Sequence, residues 1–91
     1  MKKTFNLKST KIDDPRQVEA VKHQIKKYMA REKRKKLPEK SDYWDFECQI
    51  GIDENSAQDI YPNEIRKKID EYVIDGVETF YIKIASTPKR F

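Results

Sequence analysis

Apolar and polar residues alternate through the middle of the chain. Trp44, Phe46, Cys48, Ile50 and Ile52 fall on one side of an extended segment, and Tyr43, Asp45, Glu47, Gln49 and Gly51 on the other. Successive strand side chains point to opposite faces, so residues 43–52 are predicted to form a strand with one face in a core and one in water. The rest of the chain supplies the cover for that apolar face.

Residues 4–8 set Phe5 and Leu7 against Thr4, Asn6 and Lys8, which predicts a first short strand. Asp14 before Pro15, with Gln17 three places on, has the form of a helix start, Asp14 being the N-cap and Gln17 reaching back to it. Val18, Val21, Ile25, Tyr28 and Met29 then recur every three or four residues. That spacing predicts a helix over residues 15–36 with one apolar stripe, ended by Leu37-Pro38. Such a helix is roughly 33 Å long at about 1.5 Å per residue, so its last basic turns project beyond the core.

Asp53, Glu54, Asn55 and Ser56 form a turn-prone cluster, after which residues 57–61 return as a short strand with Ile60 inward and Asp59 and Tyr61 outward. A second helix starts near Pro62 or Asn63, carries Ile65, Ile69, Tyr72 and Val73 on its stripe, and ends at Gly76 in a left-handed cap. The last strand, residues 77–85, turns Phe80, Ile82 and Ile84 inward and Thr79, Tyr81 and Lys83 outward. The expected fold is a single α+β domain over residues 1–86, with a C-terminal tail at 87–91. It is a two-layer, ferredoxin-like β-α-β-β-α-β sandwich with an antiparallel sheet and both helices on one face. The competing reading omits the strand at 57–61 and leaves two parallel βαβ units.

With 91 residues, of which 36% are hydrophobic, the chain suits one core and no large buried cavity. Its one cysteine excludes an internal disulfide, and with a single histidine it also excludes the usual zinc ligand sets. No cofactor or metal is expected, and a reducing, cytoplasmic location is. No apolar run reaches signal-peptide or membrane-spanning length.

Lys3-Thr4-Phe5, the run Arg31-Glu32-Lys33-Arg34-Lys35 leading into Leu37-Pro38, Tyr43-Trp44-Asp45-Phe46 with Cys48 beyond it, and Phe80-Tyr81 occur together here. In that combination the chain resembles an uncharacterised family of small bacterial proteins, over nearly its whole length. The resemblance implies a bacterial cytosolic origin and no activity, ligand or catalytic residue.

Charge adds the main functional lead. The 20 basic and 16 acidic residues leave a net charge of +4, yet Lys22, Lys26, Lys27, Arg31, Lys33, Arg34, Lys35 and Lys36 face only Glu32 within residues 22–36. A local charge near +7 attracts a phosphate backbone and releases its counterions. The expected nucleic-acid contacts, to RNA or DNA without sequence preference, are Lys26, Lys27, Arg31, Lys33, Arg34, Lys35 and Lys36. The plainer reading is a solvated helix face whose terminal cations complement the helix dipole. Residues 41–65 hold seven acids and no lysine or arginine, but alternation sends Asp45 and Glu47 to the wet face, which leaves most of the basic edge unpaired.

That wet face is the second candidate, a contact for a protein partner or a homodimer formed by Tyr43, Asp45, Glu47, Tyr61, Tyr81 and Lys83. An RNA-stacking sheet of the ferredoxin-like kind needs aromatics on its first and third strands, and Thr4, Asn6 and Lys8 supply no ring. No catalytic motif is present, and a non-enzymatic binding module is expected. Asp45 and Glu47 lie on a solvated face that raises no carboxylate pKa, and Cys48 points into the core with no charged helper.

Overall fold

The computed structural model describes residues 1–7 and 15–91. Six regular elements follow the expected chain order: β1 (Lys2–Asn6), α1 (Pro15–Lys33), β2 (Tyr43–Gly51), β3 (Gln58–Ile60), α2 (Ile65–Ile74) and β4 (Thr79–Lys89). A 3-10 turn at Pro62–Glu64 leads into α2. The fold is α+β, with one four-stranded antiparallel sheet in the order β1-β4-β2-β3. The ferredoxin-like arrangement is not matched. It would centre the first and third strands, whereas here β4 and β2 are central and β3 is a three-residue edge. Antiparallel pairing throughout also excludes the parallel alternative.

Both helices cover one face. Phe5, Phe46, Cys48, Ile50, Phe80, Ile82 and Ile84 from the sheet form a single buried cluster with Val21 and Ile25 of α1 and Ile65, Ile69 and Tyr72 of α2. Phe80 joins the layers, its ring 5.7 Å from Phe5 and 5.8 Å from Tyr72. The alternation read from sequence holds for β2 up to Ile50. Ile52 does not reach the core but is 56% exposed, because β2 ends at Gly51 and the chain turns over in an Asp53–Ser56 hydrogen-bonded loop. Val73, expected on the α2 stripe, is likewise exposed.

Local geometry explains the other differences. The N-cap expected at Asp14 lies outside the described residues. The Gln17 side-chain amide donates to the Asn6 carbonyl, 2.8 Å away, on the outer side of β1. α1 stops at Lys33 rather than Lys36. Beyond it the chain tightens, Arg34 and Lys35 donating to the carbonyls three residues back, and the Trp44 indole N–H donates to the Lys35 carbonyl at 2.9 Å. The α2 terminus fits expectation. Gly76 has φ +76°, its N–H reaches Val73 O, and Val77 N–H reaches Tyr72 O, a Schellman cap.

β4 continues through Ala85 to Lys89, so most of the expected tail is strand. Ile84 donates its N–H to Met1, so even-numbered residues of β4 face β1 and odd-numbered ones face β2. Pro88 is even-numbered and lies past the last β1 pairing, where its missing N–H removes no ladder bond. By the same parity Trp44 and Phe46 turn their backbone groups to the side that β3 does not reach, since β3 pairs only with Cys48, Gln49 and Ile50. The Asp45 carboxylate bends round to accept the Phe46 N–H at 2.9 Å and so caps this open edge.

Candidate functional site

Helical spacing divides the surface of α1 into a crest and two flanks. With Ile25 facing the sheet, steps of about 100° put His23, Lys27 and Ala30 near the crest, Lys22, Lys26 and Lys33 toward α2, and Arg31 toward β1, with Arg34 just past the helix end on the β1 side. A depression of about 480 Å³ lies on the α2 side, floored by Ile25, Met29 and Ile65 and rimmed by Lys26, Lys33 and Arg66. Another of about 720 Å³ lies on the β1 side, walled by Met1, Phe5 and Tyr28 and rimmed by Lys27, Arg31 and Arg34. His23, Lys26 and Ala30 border both. α1 is therefore a basic ridge between two hollows.

Partners within the fold neutralise only part of this charge. Lys22 meets Asp70 of α2 and Glu19, and Lys35 meets Glu32 at 2.7 Å. Arg31 lies over the Tyr28 ring at 5.7 Å and Lys33 over the Phe46 ring at 5.9 Å, contacts that leave their charge intact. Among the described residues no acid pairs with Lys26, Lys27, Arg31, Lys33, Arg34 or Lys36, all of which are exposed. Of the seven residues singled out for nucleic-acid contact, only Lys35 is ion-paired among the described residues. Sequence reading missed Arg66, which joins the rim only through the packing of α2 on α1.

Glu32 is the one buried charged side chain among the described residues, at 6% exposure. Lys35 pairs with its Oε2, while Ser86 Oγ (3.1 Å) and the Tyr28 hydroxyl (3.4 Å) donate to Oε1. The Met1 amino group donates in turn to the Tyr28 hydroxyl at 3.1 Å and to the Ile84 carbonyl at 2.6 Å. Chiefly the Lys35 hydrogen bond, opposed by desolvation and helped by Ser86, holds the Glu32 carboxyl below its ordinary range. Burial, reinforced by the Glu32 charge, raises the Tyr28 hydroxyl. The chain of polar groups fastens the last turns of α1 to β4, with the cations outside it.

A scan of protein families decides the affiliation: one family model matches residues 1–90. The chain belongs to the family of unknown function DUF6172. No curated protein and no solved structure matches it. This DUF6172 chain has no helix, among the described residues, long and apolar enough to cross a membrane.

The outer sheet face gathers its expected residues only in part. Asp45, Glu47, Tyr61 and Lys83 line one shallow depression of about 440 Å³. Tyr43 stacks on Phe91 with ring centroids 5.0 Å apart, away from that depression, and Glu47 lies 3.9 Å from Lys89. Tyr81, expected in water, is only 7% exposed. It stands in a central strand, paired between Thr4 and Gly51. Cys48 is buried, and desolvation, with Asp45 nearby, pushes its thiol up to about 11, the opposite of what a nucleophile needs.

Proposed function

We propose that this protein is a non-catalytic, cytoplasmic binding module of bacterial cells that contacts nucleic acid backbones, without sequence preference, through the basic ridge of α1. The observation that carries the reading is the set of six exposed cations that pair with no acid among the described residues. Such a cluster opposes folding. Lys27 and Arg31 stand one helical turn apart, and like charges at that spacing destabilise a helix by about 0.2–0.5 kcal/mol per pair. The helix dipole favours only Arg31 and Lys33 in the last turn. A phosphate backbone is the partner that relieves this repulsion.

The test is binding to total cellular RNA and sheared genomic DNA at 50 mM salt, comparing the native protein with the triple variant Lys27→Glu, Arg31→Glu, Arg34→Glu. Binding by the native protein and its loss in a folded variant are expected. No binding to either nucleic acid would eliminate the proposal.

A second reading, protein contact or self-association through the outer sheet face, draws on Tyr61, 73% exposed beside the depression that holds Asp45, Glu47 and Lys83. Sedimentation of the native protein and of Tyr61→Ser tests the homodimer. A monomer at high micromolar concentration, unchanged by the substitution, counts against it.

A further inference from the structure

We infer that α1 enters the major groove of B-form duplex DNA, so that the ligand of the basic ridge is duplex DNA rather than duplex RNA or a single strand. This rests on the reading of α1 as a nucleic-acid surface and specifies its ligand. The first support is shape. β1 and β2 run one way and β3 and β4 the other, so the helices that link them, α1 and α2, are antiparallel. Lys22 meets Asp70, which sets Ile65, the first residue of α2, level with about residue 27 of α1 at 1.5 Å per residue. Beyond that level only the 3-10 turn at Pro62–Glu64 continues α2, and the Glu32–Ser86 and Trp44–Lys35 hydrogen bonds fix the last turns of α1 to β4 and β2.

The second support is the division of charge. Lys33 and Arg66 rim the hollow on one side of the ridge, Lys27, Arg31 and Arg34 rim the hollow on the other, and Lys26 borders both. A helix with its side chains is about 10–12 Å across, and the B-form major groove about 12 Å wide. A helix seated in that groove has a phosphate backbone on each side, where these two rows lie. Single-strand binding calls for one track of charge with open stacking rings; among the described residues the crest carries only the His23 imidazole, and the rings beside it are covered, Phe5 in the core and Tyr28 beneath Arg31. The A-form RNA major groove is too narrow for a helix. Ala30, between Lys27 and Arg34, lets the helix backbone approach the floor of the groove.

Fluorescence anisotropy with a labelled 24-base-pair DNA duplex, the duplex RNA of the same sequence and one DNA strand tests the inference in the full chain. The native protein is expected to bind duplex DNA at least ~10-fold tighter than either other probe. Lys33→Glu with Arg66→Glu, and separately Arg31→Glu with Arg34→Glu, should each weaken duplex binding ~10-fold or more, because each backbone loses about two contacts. Ala30→Trp adds bulk at an exposed position without changing charge, and should lower affinity for duplex DNA while leaving single-strand affinity unchanged. Equal or tighter binding of RNA or single strands, an indifferent charge row, or an inert Ala30→Trp would overturn groove entry alone. Failure to bind all three probes would remove the nucleic-acid reading with it.

Discussion

Replacing Gly51 with alanine tests how the β2–β3 corner is built. A Cβ placed on Gly51 would lie 2.7 Å from both Cα and N of Ala57 and 2.8 Å from the Ser56 carbonyl carbon, all of them backbone atoms. No side-chain rotation relieves that overlap. The turn must move, and with it β3, whose Ile60 packs against the core. Overpacking of this kind costs about 1–3 kcal/mol. In a domain of this size each kcal/mol lowers the melting temperature by about 4–8 °C, so a cost near 2 kcal/mol gives a drop of ~8–16 °C. Gly76 is the control. Nothing lies within 4 Å of its added Cβ, but its φ of +76° taxes any L side chain by about 1–2 kcal/mol. Asparagine tolerates that conformation, so Gly76→Asn should melt above Gly76→Ala, whereas Gly51→Asn should melt no higher than Gly51→Ala. Thermal unfolding followed by far-UV circular dichroism reads all four variants. A melting point for Gly51→Ala within ~2 °C of the native protein would refute the close approach of the two backbones.

Three further outcomes follow from the packing and charge. Glu32 is held ionised in the fold, so its contribution is complete above the unfolded carboxyl pKa of 4.5 and is lost as pH falls through its lower folded value. Glu32→Gln should therefore destabilise the protein at pH 7 and less so at pH 3; an equal loss at both would contradict the ion-paired assignment. Cys48, with its thiol near 11, should resist iodoacetamide at pH 8 in the native protein and react promptly in denaturant; rapid native labelling would show that the β2 core face is open. Lys27→Gln should raise the melting temperature slightly, and more at low salt than at high, because it removes repulsion from Arg31; a lower melting temperature at low salt would show that the cluster stabilises the fold.

Local chemistry was legible where it acts over a few residues. The alternation of β2, the apolar stripe of α1 and the left-handed Gly76 cap each follow from spacing or from one residue's backbone freedom. Pairing between distant strands was not. Whether β1 joins β3, as in the ferredoxin-like order, or β4 joins β2, as here, depends on which edges meet after collapse. That one choice shifts the centre of the sheet and buries Tyr81 between Thr4 and Gly51. The expected tail at 87–91 is mostly strand, because Pro88 sets its missing N–H on an unpaired side. Of the basic ridge, its composition could be read directly, while the pairing of Lys22 with Asp70 and the arrival of Arg66 required the antiparallel packing of α2.

The central claim is that the cations of α1 are free to release counterions from a nucleic acid. The most direct measurement is the dependence of the binding constant on salt, for a labelled DNA duplex between 50 and 200 mM. Six phosphate contacts give a slope of log K against log salt near −5, a loss of about 10³-fold over that range. A slope near zero, or affinity that salt leaves unchanged, would contradict the account.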